Sequence, residues 1–246
     1  MIELERVTKR FGEVVAVSEL SLRVEAGEVF ALLGPNGAGK TTTVKLIAGL
    51  LRPTAGRVRV SGYDLLSQPL EVKRRLSYIP DQPYLYDKLT GREFLEFVGR
   101  LHRLDGATLS RRIEQLLELF DSVAYADELT ESYSHGMKQR VVIASALLIE
   151  PRVIVIDEPM VGLDPRCARL VKDLLRERAR GGVTVFLSTH TLSVAEEVAD
   201  RVGIMDRGRL IACGTLEELR RLRQTRGSLE ELYLSLTAEA EGDLDG

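Results

Sequence analysis

Residues 34–41 read Gly34-Pro35-Asn36-Gly37-Ala38-Gly39-Lys40-Thr41, and this stretch decides the fold. It matches the pattern G-x-x-x-x-G-K-[ST]. A short apolar run, residues 29–33, precedes it, and a helical pattern over residues 41–51 follows, with Pro53 as the predicted stop. A buried strand, a glycine-rich loop and a helix in this order predict a loop that binds phosphate groups.

The residue types in this loop suggest its chemistry. Glycines let successive backbone N–H groups turn inward, where they and the positive end of the following helix hold a nucleotide's β-phosphate. We expect Lys40 to place its charge on the β- and γ-phosphate oxygens, Thr41 to ligate Mg²⁺ and Thr42 to reach a further phosphate oxygen. The alternative is a glycine-rich turn that only caps a helix, but the flanking strand and helix favour the nucleotide site.

Two carboxylates follow the apolar run of residues 153–156, namely Asp157 and Glu158. The carboxyl ends of strands are the edge at which open α/β sheets bind ligands. Asp157 is expected to hold Mg²⁺ directly or through water, and Glu158 to orient and deprotonate the attacking water. Taken alone, the pair is also compatible with a simple strand end. Its combination with the phosphate-binding loop favours the metal site.

A histidine ends another apolar run, in the sequence Ser188-Thr189-His190. A lone histidine is usually structural. Its place at the same predicted sheet edge favours a contact with the γ-phosphate, so Glu158 and His190 are the candidate catalytic residues.

Periodicity divides the chain into parts. Residues 1–84 and 150–215 are rich in strands or alternate strands with helices, which predicts an α/β protein with a mainly parallel sheet. Residues 85–149 read as an inserted helical block, and residues 216–246 as a helical tail within a single domain. Predicted helix starts are the capping boxes at Thr90/Glu93, Thr215/Glu218 and Ser228/Glu231, and Asp164 before Pro165.

Composition excludes several classes of protein. Among 246 residues, 34 Lys and Arg stand against 37 Asp and Glu, a net charge of −3, and 44% are hydrophobic. This profile excludes disorder, and the near-neutral charge argues against general nucleic-acid binding. No apolar run approaches ~18 residues, and the start is charged, so we expect neither a membrane span nor a signal peptide. Cys167 and Cys213 form no CxxC pair and are expected to be reduced thiols.

Together with the segment Tyr133-Ser134-His135-Gly136-Met137-Lys138-Gln139-Arg140, these motifs resemble the nucleotide-binding subunit of an ABC transporter. The resemblance covers nearly the whole chain. It implies an ATPase that uses ATP and Mg²⁺, with a P-loop NTPase core, an N-terminal antiparallel β-subdomain and an inserted α-helical subdomain.

The resemblance also assigns residues beyond the loop. Ser134 and Gly136 would contact the γ-phosphate of ATP held by a second cassette, and Asp164 would lie across the dimer interface near that cassette's phosphate-binding loop. Phe11, next to Gly12, occupies the place of the family's aromatic residue that stacks on adenine, a contact worth roughly 1–3 kcal/mol in analogous cases.

Two positions depart from the family pattern. His135 replaces the first of two glycines after Ser134, and Met137 replaces a polar residue; His135 could add a pH-dependent charge near the phosphate. The family's glutamine that ligates Mg²⁺ and senses the membrane partner is expected after Pro80. Asp81 stands there with Gln82 beside it, and the sequence leaves open which of the two fills the role.

The resemblance implies two partners, a second cassette and a separate integral membrane permease. The chain would then lie at the cytoplasmic face of the membrane as a peripheral protein. Residues 83–97 are the candidate docking surface, with Tyr84, Leu85 and Tyr86 as an apolar seat; internal packing of these side chains is the alternative. The tail, residues 228–237, resembles that of export cassettes, which favours export.

Rival functions remain. One is a soluble ABC-type ATPase acting on nucleic acid or ribosomes, which the neutral charge and the single cassette disfavour. Another is an unrelated P-loop kinase or GTPase, which gives no role to Ser134, Gly136 or His190.

Overall fold

The computed structural model describes residues 1–222, 230, 231 and 233. The strands are β1 (Ile2–Phe11), β2 (Val14–Val24), β3 (Val29–Leu33), β4 (Ala55–Val60), β5 (Tyr63–Asp64), β6 (Leu76–Ile79), β7 (Val153–Asp157), β8 (Thr184–Thr189), β9 (Arg201–Asp206) and β10 (Arg209–Gly214). The helices are α1 (Lys40–Ile47), α2 (Pro69–Lys73), α3 (Gly91–Leu101), α4 (Gly106–Leu119), α5 (His135–Leu148), α6 (Pro165–Arg180), α7 (Leu192–Val198) and α8 (Leu216–Leu222).

The strands form two sheets. A six-stranded sheet has the order β10-β9-β3-β8-β7-β6, in which only the β9–β10 hairpin is antiparallel among the described strands. The other sheet, β2-β1-β4-β5, is antiparallel throughout. The predicted fold is therefore confirmed: a mainly parallel core sheet with an N-terminal antiparallel β-subdomain.

Strand β3 lies inside the six-stranded sheet and is buried on both faces, as its continuous apolar run predicts. Side chains alternate between two cores because successive residues of a strand point to opposite faces. Val29, Ala31 and Leu33 pack into a core shared with helices α3–α7. Phe30 and Leu32 pack into a second core shared with α1 and the antiparallel sheet. The loop that follows β3 is thus fixed from both sides.

Helices α3, α4 and α5 follow one another between β6 and β7 and pack together, which confirms the inserted helical part. The capping box predicted at Thr90 and Glu93 is present, with both reciprocal hydrogen bonds. That at Thr215 and Glu218 is present as well. The boundaries of the helical block, residues 85–149, remain a prediction.

One predicted boundary is wrong. Helix α1 ends at Ile47, not at residue 51, and Pro53 is not its stop. Gly49 takes a φ of +70°, and the Leu50 N–H donates to the Lys45 carbonyl at 2.9 Å. Glycine adopts this left-handed conformation without steric cost and so ends the helix four residues before the proline.

The predicted tail extends beyond the described residues. The capping box at Ser228 and Glu231 and most of residues 228–246 fall outside them, so the tail helix there stays a prediction. Within the part of the chain that the structure describes, none of the helices combines the length and apolar character needed to span a membrane.

Candidate functional site

The carboxyl ends of four parallel strands meet along one edge of the six-stranded sheet. Leu33 of β3 is paired with Thr189 of β8, Asp157 of β7 with Ser188, and Ile79 of β6 with Ile156. The loops that leave these strand ends therefore converge. The pocket at this edge is lined by Ala16, Asn36, Gly37, Gly39, Lys40, Thr41, Thr42, Asp81, Glu158 and His190. Most of the residues predicted from the phosphate-binding loop are on this wall.

The phosphate-binding loop (residues 34–41) is closely packed. Gly39, the N-cap of α1, has a φ of +103°, and a Cβ there would lie 2.3 Å from the Ala16 carbonyl oxygen. Only glycine fits this position. The Lys40 Nζ donates to the carbonyls of Gly34 at 2.7 Å and Pro35 at 3.0 Å. Burial lowers the pKa of Lys40, while the charges of Glu158 and Asp157 oppose that shift.

The β9–β10 hairpin supports the loop from behind. The Gly208 N–H at its turn donates to the Ala38 carbonyl at 2.9 Å, and the Gly208 carbonyl accepts from the Ser18 N–H at 2.8 Å. Strand β2, which carries Ala16 to the pocket, is thereby joined to the same turn. Ala16 was not predicted as a site residue, because an alanine within a strand carries no sequence signal for a ligand contact.

Asp157 lies beneath the pocket with only 1% of its surface exposed. Burial raises the pKa of Asp157, the hydrogen bond from the Ser188 hydroxyl and the nearby Thr41 hydroxyl oppose the shift, and the nearby charges of Asp81 and Glu158 add to it. Its Oδ2 atom is buried and has no hydrogen-bond partner among the described residues. A buried carboxylate oxygen without a donor, close to a threonine hydroxyl and a second carboxylate, is a donor set suited to Mg²⁺.

Glu158 and His190 lie side by side at the mouth of the pocket. Glu158 Oε1 accepts from the His190 backbone N–H at 3.0 Å and lies 2.8 Å from His190 Nδ1. Its Oε2 accepts from the Thr189 hydroxyl at 3.2 Å. Glu158 also has a φ of +51°, a conformation that costs free energy and is frequent at functional sites. The geometry brings the two candidate catalytic residues together.

The structure distinguishes Asp81 from Gln82. Asp81 lines the pocket, and its charge contributes to the raised pKa of Asp157. Gln82 is not among the lining residues; its backbone N–H donates to Asp81 Oδ1 at 2.8 Å. The geometry therefore favours Asp81 over Gln82 for the place beside the predicted Mg²⁺.

The three residues expected to face a second cassette are not among those that line this pocket. Ser134 is the N-cap of α5 and its hydroxyl accepts from the Met137 N–H at 3.3 Å. Asp164 caps α6 through its Oδ1, while its Oδ2 accepts from Arg140 at 2.6 Å. The pKa of Asp164 is lowered, mainly by the hydrogen bond from the Cys167 N–H and next by that from Arg140. Gly136 adjoins Gly162, where its missing Cβ would lie 2.9 Å from the Gly162 carbonyl oxygen. These residues form a second surface, which we call the α5–α6 surface.

Phe11 lies at the end of β1, with 48% of its surface exposed. The Lys9 ammonium lies 4.9 Å from the centre of its ring. Phe11 is not among the residues that line the pocket. Its exposed ring leaves a face for stacking, but the adenine contact remains a prediction.

Comparison with known proteins agrees with these observations. Residues 17–161 match the family described as ABC transporter. Over 219 residues the chain is 42% identical to the daunorubicin resistance ATP-binding protein DrrA3 of Streptomyces coeruleorubidus, covering 89% of this chain and 69% of that protein. It spans 62–69% of the length of this and similar curated relatives.

Solved structures give the same result. The ATP-binding subunit of an ABC transporter superposes with a TM-score of 0.92 at 37% identity, covering 96% of this chain and 99% of that one. The dimeric cassette MJ0796 in a post-hydrolysis state with ADP and Pi superposes with a TM-score of 0.79 at 27% identity, covering 88% of this chain and 99% of that one. The chain therefore belongs to the ABC transporter family, as one of its ATP-binding, ATP-hydrolysing cassettes.

Proposed function

We propose that this cassette works as a dimer that clamps Mg²⁺ and ATP between two chains and powers export through a separate membrane subunit. The proposed dimer rests on one observation. Residues of the phosphate-binding loop, Glu158 and His190 line one pocket, and the buried Asp157 carboxylate lies near Thr41 and Glu158. Ser134, Gly136 and Asp164 lie on the α5–α6 surface. A second chain could supply the α5–α6 surface to the pocket of the first.

The open pocket gives a chemical reason for a second chain. A triphosphate held only by residues 34–42 would leave its γ-phosphate in contact with water. The N-terminus of α5, at Ser134 and Gly136, would bring backbone donors to that phosphate. Donors aimed at developing charge in a site without bulk water are worth far more than in water. ATP would thus hold the chains together, and its cleavage would release them.

Within each pocket we assign the proton transfer to Glu158. Its carboxylate accepts the proton of a water that attacks the γ-phosphorus, and the bond to the β–γ bridging oxygen breaks. His190 and Thr189 hold both carboxylate oxygens in place. Asp157, Thr41 and Asp81 are the residues that would hold Mg²⁺, which would neutralise phosphate charge when bound. Lys40 and the loop N–H groups bind and orient the phosphates.

An exposed aromatic patch supports a membrane partner. Tyr84 is 74% exposed, and Tyr86 and Phe97 are also exposed. The Tyr86 ring lies edge-on to both neighbours, with centroid distances of 5.9 Å to Tyr84 and 5.6 Å to Phe97. Leu85, expected in the same seat, is instead buried in the core. We propose that these three aromatic side chains bind a short helix of the membrane subunit. The cassette would then lie peripherally at the membrane's cytoplasmic face.

The relatives support export as the direction. The DrrA3 protein, named for daunorubicin resistance, is identical to this chain at 42% of the aligned residues. We infer that this cassette, too, serves the removal of a compound from the cell. A role on nucleic acid or ribosomes is less well supported, because the net charge of −3 offers no general basic field.

The change Glu158→Gln tests the proposed function. Glutamine keeps the shape of the side chain but cannot take a proton, so the variant should bind ATP and remain as an ATP-bound dimer with little turnover. Light scattering with Mg²⁺ and ATP measures the dimer, and phosphate release measures turnover. Glu118→Gln, on the exposed face of α4, is the control and should behave as the unmodified chain. Near-normal hydrolysis by Glu158→Gln would remove Glu158 from this role.

A further inference from the structure

The side chain of His135 lies directly over Gly162. Gly162 has a φ of +76°, and a Cβ built there would be 2.0 Å from His135 Cδ2 and 2.5 Å from its Nε2. The imidazole of His135 and a Cβ at position 162 cannot occupy the same space. The imidazole therefore fills the volume that any residue other than glycine would need at position 162. The first residue of α5 is packed against the middle of the loop between β7 and α6.

Other contacts hold the same two segments together. The Gly162 carbonyl oxygen would be 2.9 Å from a Cβ at Gly136, so the loop backbone rests on the first turn of α5. Further along α5, Arg140 donates to Asp164 Oδ2 at 2.6 Å and to the Phe120 carbonyl at 3.1 Å. His135 and Arg140 thus hold the loop at its middle and at its end.

The other end of this loop is Glu158. The Val161 N–H donates to the Glu158 carbonyl at 3.3 Å, and the Leu163 N–H donates to the Met160 carbonyl at 3.4 Å. Two short-range turns therefore connect Gly162 to the residue at the pocket mouth. A shift of Gly162 would be passed to Glu158 over four residues of tightly turned backbone.

We propose that His135 is a positioning residue, which holds the loop of residues 158–164 to the start of α5 through its contact with Gly162. The inference rests on the proposed two-chain site. When the triphosphate of a second cassette engages Ser134 and Gly136, this contact moves the loop with them. Engagement at one ATP site then sets the place of Glu158 at the other. The contact is steric, so its effect does not require a charge on the imidazole.

A double-mutant cycle tests this contact. In the unmodified chain, Gly162→Ala forces a Cβ into the imidazole and should lower kcat about tenfold, while the affinity of the isolated chain for ATP is unchanged because the phosphate-binding loop is untouched. His135→Ala alone should lower kcat roughly two- to fivefold. In the His135→Ala background the new methyl group has room, so Gly162→Ala should cost about threefold or less.

The matched control is Gly62→Ala. Gly62 has a φ of +82° and no atom within 4 Å of its missing Cβ, so this change measures the cost of a left-handed alanine without a collision. It should leave kcat unchanged and lower the melting temperature by as much as backbone strain alone requires. If Gly162→Ala lowered kcat by the same factor in the unmodified chain and in the His135→Ala chain, the proposal would be overturned.

Folding failure is also informative. If Gly162→Ala unfolds the chain with His135 present but not with Ala at that position, the steric contact is confirmed. If Gly162→Ala unfolds the chain in both backgrounds, the single variant His135→Ala provides the test. A lower kcat with unchanged melting temperature and ATP affinity supports the proposal, and an unchanged kcat contradicts it. The ATP-bound dimer of Glu158→Gln separates the two hypotheses. Its absence would overturn the proposed function, whereas its presence with an additive cycle would overturn only the role of His135.

Discussion

At the scale of single residues, the buried carboxylate of Asp157 is expected to destabilise the nucleotide-free site. It is almost completely buried, its pKa is raised by burial, and its Oδ2 lacks a donor among the described residues. A buried polar atom without a partner costs about 1–3 kcal/mol. Such a cost is expected where a cation is to be held, because the same oxygen then gains a strong electrostatic partner.

The change Asp157→Asn tests this explanation. Asparagine removes the desolvated charge, so without divalent cations the variant should melt at the same temperature as the unmodified chain or higher. Mg²⁺ added to the ATP complex should raise the melting temperature of the unmodified chain and have little effect on Asp157→Asn, which should also lose its ATPase activity. Thermal denaturation with and without Mg²⁺ measures this.

The control for that experiment is Asp173→Asn, which removes an exposed carboxylate on α6 and should retain the response to Mg²⁺. An equal response of Asp157→Asn and the unmodified chain would place the metal elsewhere.

Most residues of the pocket could be predicted from their types and order. Five residues have side chains of specific chemistry and lie at or shortly after strand ends that share one edge of the sheet: Lys40, Thr41, Asp157, Glu158 and His190. Ala16 contributes through its place in β2, and the register that puts it there depends on long-range pairing. The choice between Asp81 and Gln82 also required the structure, because adjacent residues after a strand can point either way.

At the scale of elements, α5 carries residues for two purposes. Ser134 is its N-cap and Gly136 lies in its first turn, while Gln139, its fifth residue, is completely buried. Neither amide atom of Gln139 has a hydrogen-bond partner in the described part of the chain. Ordinary packing does not account for such a side chain, since an apolar residue of the same size would fill the space at lower cost.

The change Gln139→Met is therefore expected to stabilise the nucleotide-free cassette. Methionine has a similar volume and a similar helix propensity, but no unsatisfied amide. The free energy of unfolding should rise by about 1–3 kcal/mol, as measured by urea denaturation. Gln115→Met, at an exposed position of α4, should change it by about 0.5 kcal/mol or less. A loss of stability in Gln139→Met would mean that the amide has a partner, such as a buried water.

Element boundaries followed local signals where those were strong. Helix α6 begins as predicted, because Asp164 is its N-cap and Pro165 lies in its first turn. The predicted helix α1 is too long because Pro53 is taken as its end, whereas Gly49 ends it. The contact between His135 and Gly162 could not be predicted at all, since 27 positions separate the two residues and only packing brings them together.

At the scale of the whole molecule, the proposed site consists of two parts that one chain carries on different surfaces. Lys40 belongs to the part that holds the triphosphate, and Gly136 to the part that would close over a triphosphate held by another chain. Chains defective in different parts should therefore complement one another, whereas two chains with the same defect should not. This distinguishes a shared site from two independent ones.

A mixing experiment follows, with Glu158→Gln in every chain to prevent turnover. Lys40→Ala chains should not hold ATP, and Gly136→Asp chains should hold ATP but repel a partner's γ-phosphate. Each alone should remain monomeric with Mg²⁺ and ATP. Their mixture should form dimers in light scattering, because the intact α5–α6 surface of the first can close over the ATP of the second.

The control replaces one chain of the mixture by a chain that carries both Lys40→Ala and Gly136→Asp. Such a chain has neither part of the site, so it should not pair with Lys40→Ala or with Gly136→Asp chains. Dimers in this control would mean that the chains associate through some other surface, such as the exposed rings of Tyr84, Tyr86 and Phe97. Absence of dimers in the complementary mixture, with ATP binding by the Gly136→Asp chain intact, would show that Gly136 does not act on a partner's nucleotide.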